Sequence, residues 1–163
     1  MINWLDVRNF VLVEHVSLNF GRGMTVLTGE TGAGKSIIVD ALSILLGDRT
    51  SGDIVRQDSN SAEIQAGFDL SDSPQAAAWL DTQLLSDETG ECFLRRLVFK
   101  DQPSRGFING RPVPIRSLQE LGNLLVDIHG QHEHHLLLRR DTQRTILDTY
   151  ANATDLVEKM AQT

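Results

Sequence analysis

Gly29-Glu30-Thr31-Gly32-Ala33-Gly34-Lys35-Ser36 spells GxxxxGK[ST], between the apolar run Met24-Thr25-Val26-Leu27 and an apolar helical pattern from Ile37 to Leu46. Glycines let a backbone curl through φ/ψ space closed to other residues. Successive N–H groups then converge on an anion at the positive end of the following helix. In such a loop the lysine reaches β/γ-phosphate oxygens and the Ser hydroxyl a Mg²⁺ ion. The stretch therefore predicts a strand–loop–helix unit that binds a nucleotide triphosphate. A glycine-rich turn that binds nothing would not need Gly-Lys-Ser in that order.

The runs Ile2 to Phe10, Val16 to Phe20 and Met24 to Thr28 predict short strands, a hairpin feeding the phosphate strand. After the loop, Ile38, Leu42 and Leu45 fall on one stripe of a mostly buried helix, which Gly47 ends as a left-handed cap. Beyond a polar stretch, Ala62 to Leu70 reads as a strand. Ser73 and Pro74 open a helix to about Leu85, and Glu91 to Lys100 is a further strand. Asn109-Gly110, flanked by Arg105 to Ile108 and Arg111 to Val113, is a two-residue hairpin signal. A short helix from Ile115 to about Gly122 should lead into Leu124 to His129, an apolar run suited to a buried parallel strand. Apolar residues among charges after Asp141 predict an exposed helix. The fold class is thus α/β, with a phosphate-loop core and an antiparallel β subdomain.

The chain has 163 residues, of which 40% are hydrophobic, enough for one core or for one core with a small appendage. A net charge of −7 argues against a general nucleic-acid-coating protein. The lone Cys92 excludes an internal disulfide framework, suits a reducing cytoplasm, and reads as a small buried apolar side chain. No stretch has the apolar length of a membrane span, nor the start the layout of an export signal, so a soluble cytoplasmic protein without membrane contact is expected.

Four motifs in order carry a resemblance. They are the phosphate loop, Leu46-Gly47-Asp48-Arg49, Phe107-Ile108-Asn109-Gly110-Arg111, and Asp127-Ile128-His129-Gly130-Gln131-His132-Glu133. With these the chain resembles the N-terminal part of the RecN family, bacterial DNA-repair ATPases of the SMC-like branch of the ABC ATPases. The likeness implies residues 1–140 as the N-terminal lobe of an ATPase head and residues 141–163 as the start of a coiled-coil helix. In that family the head is completed by a C-terminal half beyond a long coiled coil, which carries the signature motif, an aspartate-glutamate pair and a switch histidine. None of these motifs occurs in this sequence. The resemblance therefore implies a lobe that binds ATP and Mg²⁺ but hydrolyses ATP poorly alone. Its implied partners are its own C-terminal half, a second head in a nucleotide sandwich, and DNA, and its implied setting is the nucleoid.

Loop residues Gly29, Glu30, Thr31, Gly32, Ala33 and Gly34, with Lys35 and Ser36, should hold the nucleotide. Read alone, Leu124-Leu125-Val126-Asp127 is an apolar strand ending in an aspartate of the type that holds Mg²⁺. The resemblance points instead to Gln131 as the group that reaches the metal, a plain surface glutamine being the alternative. Arg56 lies where SMC-like heads carry an arginine that approaches the triphosphate, with Arg49 as second choice; a surface arginine at a helix end fits Arg56 equally. By the same likeness the loop beside Asn9 and Phe10 borders the adenine, though Phe10 also suits the core.

His129, His132, His134 and His135 cluster, but without HExxH spacing or a Cys pair they read as a loop beside the nucleotide rather than zinc ligands. Between residues 95 and 116 six basic side chains face one acid, Asp101. That local field suits either a phosphate backbone or internal pairing on a solvated sheet face. A small-molecule or nucleotide kinase shares the phosphate loop and is the rival reading. No Asn-Lys-x-Asp motif supports a GTPase, and no nucleophile elbow supports a hydrolase.

Overall fold

The computed structural model describes residues 1–28, 35–87, 89–128, 147, 150 and 151. It forms two compact units, Met1–Asp127 and Ile128–Thr163. In the second, the described residues show one helical turn, in which Ala151 N–H donates to the Leu147 carbonyl at 2.9 Å.

The first unit is a six-stranded, wholly antiparallel sheet in the order β2-β1-β3-β4-β5-β6. Its strands are β1 (Ile2–Phe10), β2 (Val13–Asn19), β3 (Ser61–Asp69), β4 (Glu91–Phe99), β5 (Arg105–Ile108) and β6 (Arg111–Val113). Alternation aims one face inward: Leu5 and Val7; Ala62, Ile64, Ala66 and Phe68; Cys92, Leu94 and Val98; and Ile108 are all buried. Each fully buried Leu, Ile or Phe contributes about 1.5–3 kcal/mol relative to an exposed one. The opposite face carries Trp4 and Phe93, stacked with ring centroids 6.2 Å apart.

Helices α1 (Lys35–Leu45) and α3 (Ile115–Leu125) cover the inward face, and α2 (Pro74–Thr82) packs on α3. Ala41, Ile44 and Leu45 form the buried stripe of α1. Only this C-terminal half is buried, for Ile37, Ile38 and Leu42 are half-exposed and Ser36, Val39 and Asp40 exposed. The helix ends in a Schellman motif: Asp48 N–H donates to the Ser43 carbonyl and Gly47 N–H to that of Ile44, each at 3.1 Å, with Gly47 at φ +110°. The Asn109-Gly110 turn has φ of 47° and 75°, the left-handed pair that a type I′ hairpin demands.

Three expectations are corrected. Met24–Thr28 forms no strand; Met24 is 92% exposed and Val26 69%. An apolar run becomes a central strand only between two others, and among the described residues none lies beside it. Leu124 and Leu125 belong to α3 rather than to a parallel strand, and Val126 to Ile128 are irregular. There Leu118, Leu121 and Leu125 recur with helical spacing, a period that the consecutive leucines mask. Helix α2 stops at Thr82 rather than Leu85, because Leu84 takes a left-handed φ of 57°. Two smaller shifts are that β2 begins at Val13 and that Ser73 caps α2 without a side-chain hydrogen bond.

Candidate functional site

Helix α1 is described from Lys35, so Lys35 and Ser36 of the motif lie in its first turn, as the motif requires. The first N–H groups of any helix lack partners within it and carry the positive end of its dipole. No acidic residue stands in the first turn of α1 to neutralise that end, and Ser36 is exposed there. An anion is the complementary ligand. Loop residues Gly29 to Gly34 lie outside the described residues, as do Gln131 and His129, His132, His134 and His135. Among the described residues no group of His, Cys, Asp or Glu side chains is arranged to hold a metal.

Other site expectations fall on described residues. Arg56 follows a 3-10 turn at Gly52–Ile54. Its N–H donates to the Asn9 carbonyl at 2.9 Å and its Nη1 to Glu14 Oε2 at 3.4 Å. The segment is pinned to the end of β1, because Phe10 bridges Val55 and Val11 N–H donates to the Ile54 carbonyl at 2.7 Å. Arg56 thus stands beside the β1–β2 hairpin that also carries Asn9, while Arg49 is exposed on another loop. Phe10 is core, at 1% exposure. Asp127 is exposed at the end of the first unit.

The basic segment from 95 to 116 is tied to internal partners. Arg95 pairs with Glu63 at 2.5 Å and lies over the Phe107 ring, and Arg105 lies over that of Phe99, both 5.3 Å from the centroid. Lys100 donates to the Gln57 carbonyl at 2.6 Å, Arg111 to that of Leu84, and Arg116 pairs with Glu120. Arg96 is buried, and its Nη1 donates to the carbonyls of Ile44 and Asp48. The sequence reading missed this residue as a support of α1. Its alternation with Cys92, Leu94 and Val98 was the available signal. Cys92 is fully buried as expected, and burial pushes its thiol up to about 12. Among the described residues no helix is long and apolar enough to cross a membrane.

Known proteins agree with this architecture. A family model described as an AAA domain matches residues 5–162. The DNA repair protein RecN of Vibrio cholerae is 45% identical over 97% of the chain, and the chain spans 28% of that relative's length. The Smc head domain with a coiled coil and joint from Pyrococcus yayanosii superposes with a TM-score of 0.67 at 21% identity, covering 99% of this chain and 35% of that one. An SMC ATPase chain from a study of ATP-driven dimerization and DNA-stimulated activation gives 0.64 at 20% identity, covering 90% of this chain and 97% of that one. At such identities the superpositions establish the fold, an α/β lobe of the SMC-head type. The chain belongs to the AAA domain family, and within it is similar to the RecN DNA-repair proteins.

Proposed function

We propose that this chain is the ATP-binding lobe of a RecN-like ATPase that acts in DNA double-strand-break repair and recombination. The observation that carries the reading is that the Lys35-Ser36 end of GxxxxGK[ST] lies in the first turn of α1, a turn without acidic residues. The similarity to RecN supplies the setting. Residues Gly29 to Gly34 cradle the phosphates with main-chain amides, Lys35 adds an ammonium group against the β/γ oxygens, and the Ser36 hydroxyl holds Mg²⁺. Gln131 is a second group for the metal, and Arg56 one that approaches the triphosphate. When bound, Mg²⁺ neutralises charge on the phosphates.

Hydrolysis is assigned to the complete head. Residues 1–140 form this lobe, and residues 141–163 open a coiled coil whose return leg brings the C-terminal half. Two such heads then sandwich ATP between them, with DNA as the partner of the whole protein in the cytoplasm, at the nucleoid. The exposed Met24–Thr28 segment and the half-exposed first turns of α1 support this reading, because they leave apolar surface for further chain to cover.

Thermal unfolding with ATP and Mg²⁺ tests it. At about 100 times Kd a ligand of the folded state adds about 2.7 kcal/mol, so the midpoint should climb with ATP concentration. GTP should shift it less, and Lys35→Ala should remove the shift. Phosphoryl transfer to a small acceptor by this chain alone would point to a kinase instead.

A further inference from the structure

A buried guanidinium stands at the far end of the helix that opens at the phosphate loop. Arg96 projects from the inward face of β4 and is 2% exposed, the only charged residue buried among the described residues. Its Nη1 donates to the Ile44 carbonyl and, at 2.7 Å, to the Asp48 carbonyl, and its Nη2 donates to Ser104 Oγ at 3.2 Å. Nε has no partner among the described residues. Among the described residues no carboxylate is hydrogen-bonded to it, and its partners are two carbonyls and one hydroxyl. Burial works against the charged form, and the nearby charge of Asp48 opposes that. Its hydrogen bonds offset that desolvation, and an apolar side chain in its place would leave the Asp48 carbonyl without this donor.

Ile44 and Asp48 belong to the Schellman turn that ends α1, where the helix dipole is negative and the last carbonyls lack helical partners. Arg96 Nη1 bridges the carbonyl of Ile44 in α1 and that of Asp48 just beyond the Gly47 cap, while Nη2 is held by Ser104, so the planar group is fixed through both nitrogens and resists sliding and rotation of the helix end, as a point charge or an apolar contact does not. We propose that Arg96 is a positioning residue for the nucleotide site: by clamping the C-terminal end of α1 to β4 it fixes where the other end presents Lys35 and Ser36. The inference rests on the nucleotide-binding reading only for its consequence. The clamp itself is a statement about α1.

Arg96→Met keeps the volume and removes the fork. Its ATP affinity, read by calorimetry with Mg²⁺, should be several-fold weaker, the scale on which residues remote from a ligand modulate its binding. Amide exchange across residues 36–46 should quicken. Arg96→Lys, which restores the charge without the fork, should fall between Arg96→Met and the parent, and it stands in if Arg96→Met does not fold. Ile108→Val, a plain loss of packing elsewhere in the core, should lower the unfolding midpoint and leave ATP affinity unchanged. Parental affinity with unchanged exchange in the Arg96 variants would overturn the proposal, as would an equal loss of affinity in Ile108→Val. If the parent chain itself binds no ATP, the nucleotide reading fails, and exchange in α1 alone decides whether the clamp exists.

Discussion

Leu84 holds a left-handed φ of 57° with its side chain 77% exposed, so it carries conformational strain without the return of burial. The position closes α2 as the left-handed residue of a Schellman turn, in which Leu85 N–H donates to the Leu80 carbonyl at 2.9 Å. Leu84→Gly should raise stability by about 1 kcal/mol in urea unfolding, and a loss would show that the side chain packs against something. Cys92 makes the opposite case. Buried, with its thiol pushed up to about 12, it should resist a thiol reagent at neutral pH in the folded chain and react on unfolding. Asp6 is a third. Burial raises its carboxyl, but hydrogen bonds and charge from His15 and Arg8 outweigh that and hold it below its ordinary 3.8. A depressed carboxylate stabilises the fold above that ordinary value, and the contribution disappears as pH falls through the lower folded one. Asp6→Asn should therefore lose less stability than the parent on acidification below 3.8, and parallel pH profiles would remove the ion cluster from the account. At this scale Cys92 was legible, because an apolar strand announces its burial. Arg96 was not, because a count of charges along a segment ignores which face of the strand each one occupies.

Elements written in local chemistry were read nearly to the residue. β1 runs from Ile2 to Phe10 as its pattern predicts, and Asn109-Gly110 makes the turn that its two positive φ values require. Gly47 belongs with them, as the left-handed end of α1. A Cβ there would meet Gln119 of α3 at 2.7 Å as well as an unfavourable φ of 110°. Gly47→Ala should cost more than about 1 kcal/mol and loosen the seam between α1 and α3, seen as a lower unfolding midpoint. Elements that depend on distant neighbours were not readable. Met24 to Thr28 has the composition of a buried strand, and residues 124–128 that of another, yet whether such a run pairs is decided by strands elsewhere. Leu124 and Leu125 instead complete a helix whose inward side already held Leu118 and Leu121.

The first unit, Met1–Asp127, is an antiparallel sheet backed by helices, and among its described residues the first turn of α1 and the run Met24–Thr28 carry exposed side chains. The chain spans 28% of the length of the RecN relative from Vibrio cholerae. The fold class was legible because the phosphate loop and the hairpin signals are local. The proposal that Gln131 faces the metal comes from the resemblance, and Gln131 lies outside the described residues. Supplying the remaining part of such a protein in trans should raise ATP hydrolysis well above that of this chain, and an unaltered rate would count against a divided head. The most direct measurement is titration calorimetry of the folded chain with ATP and Mg²⁺. The account predicts a saturable heat that Lys35→Ala abolishes; no heat from folded protein, or the same isotherm from Lys35→Ala, would contradict it.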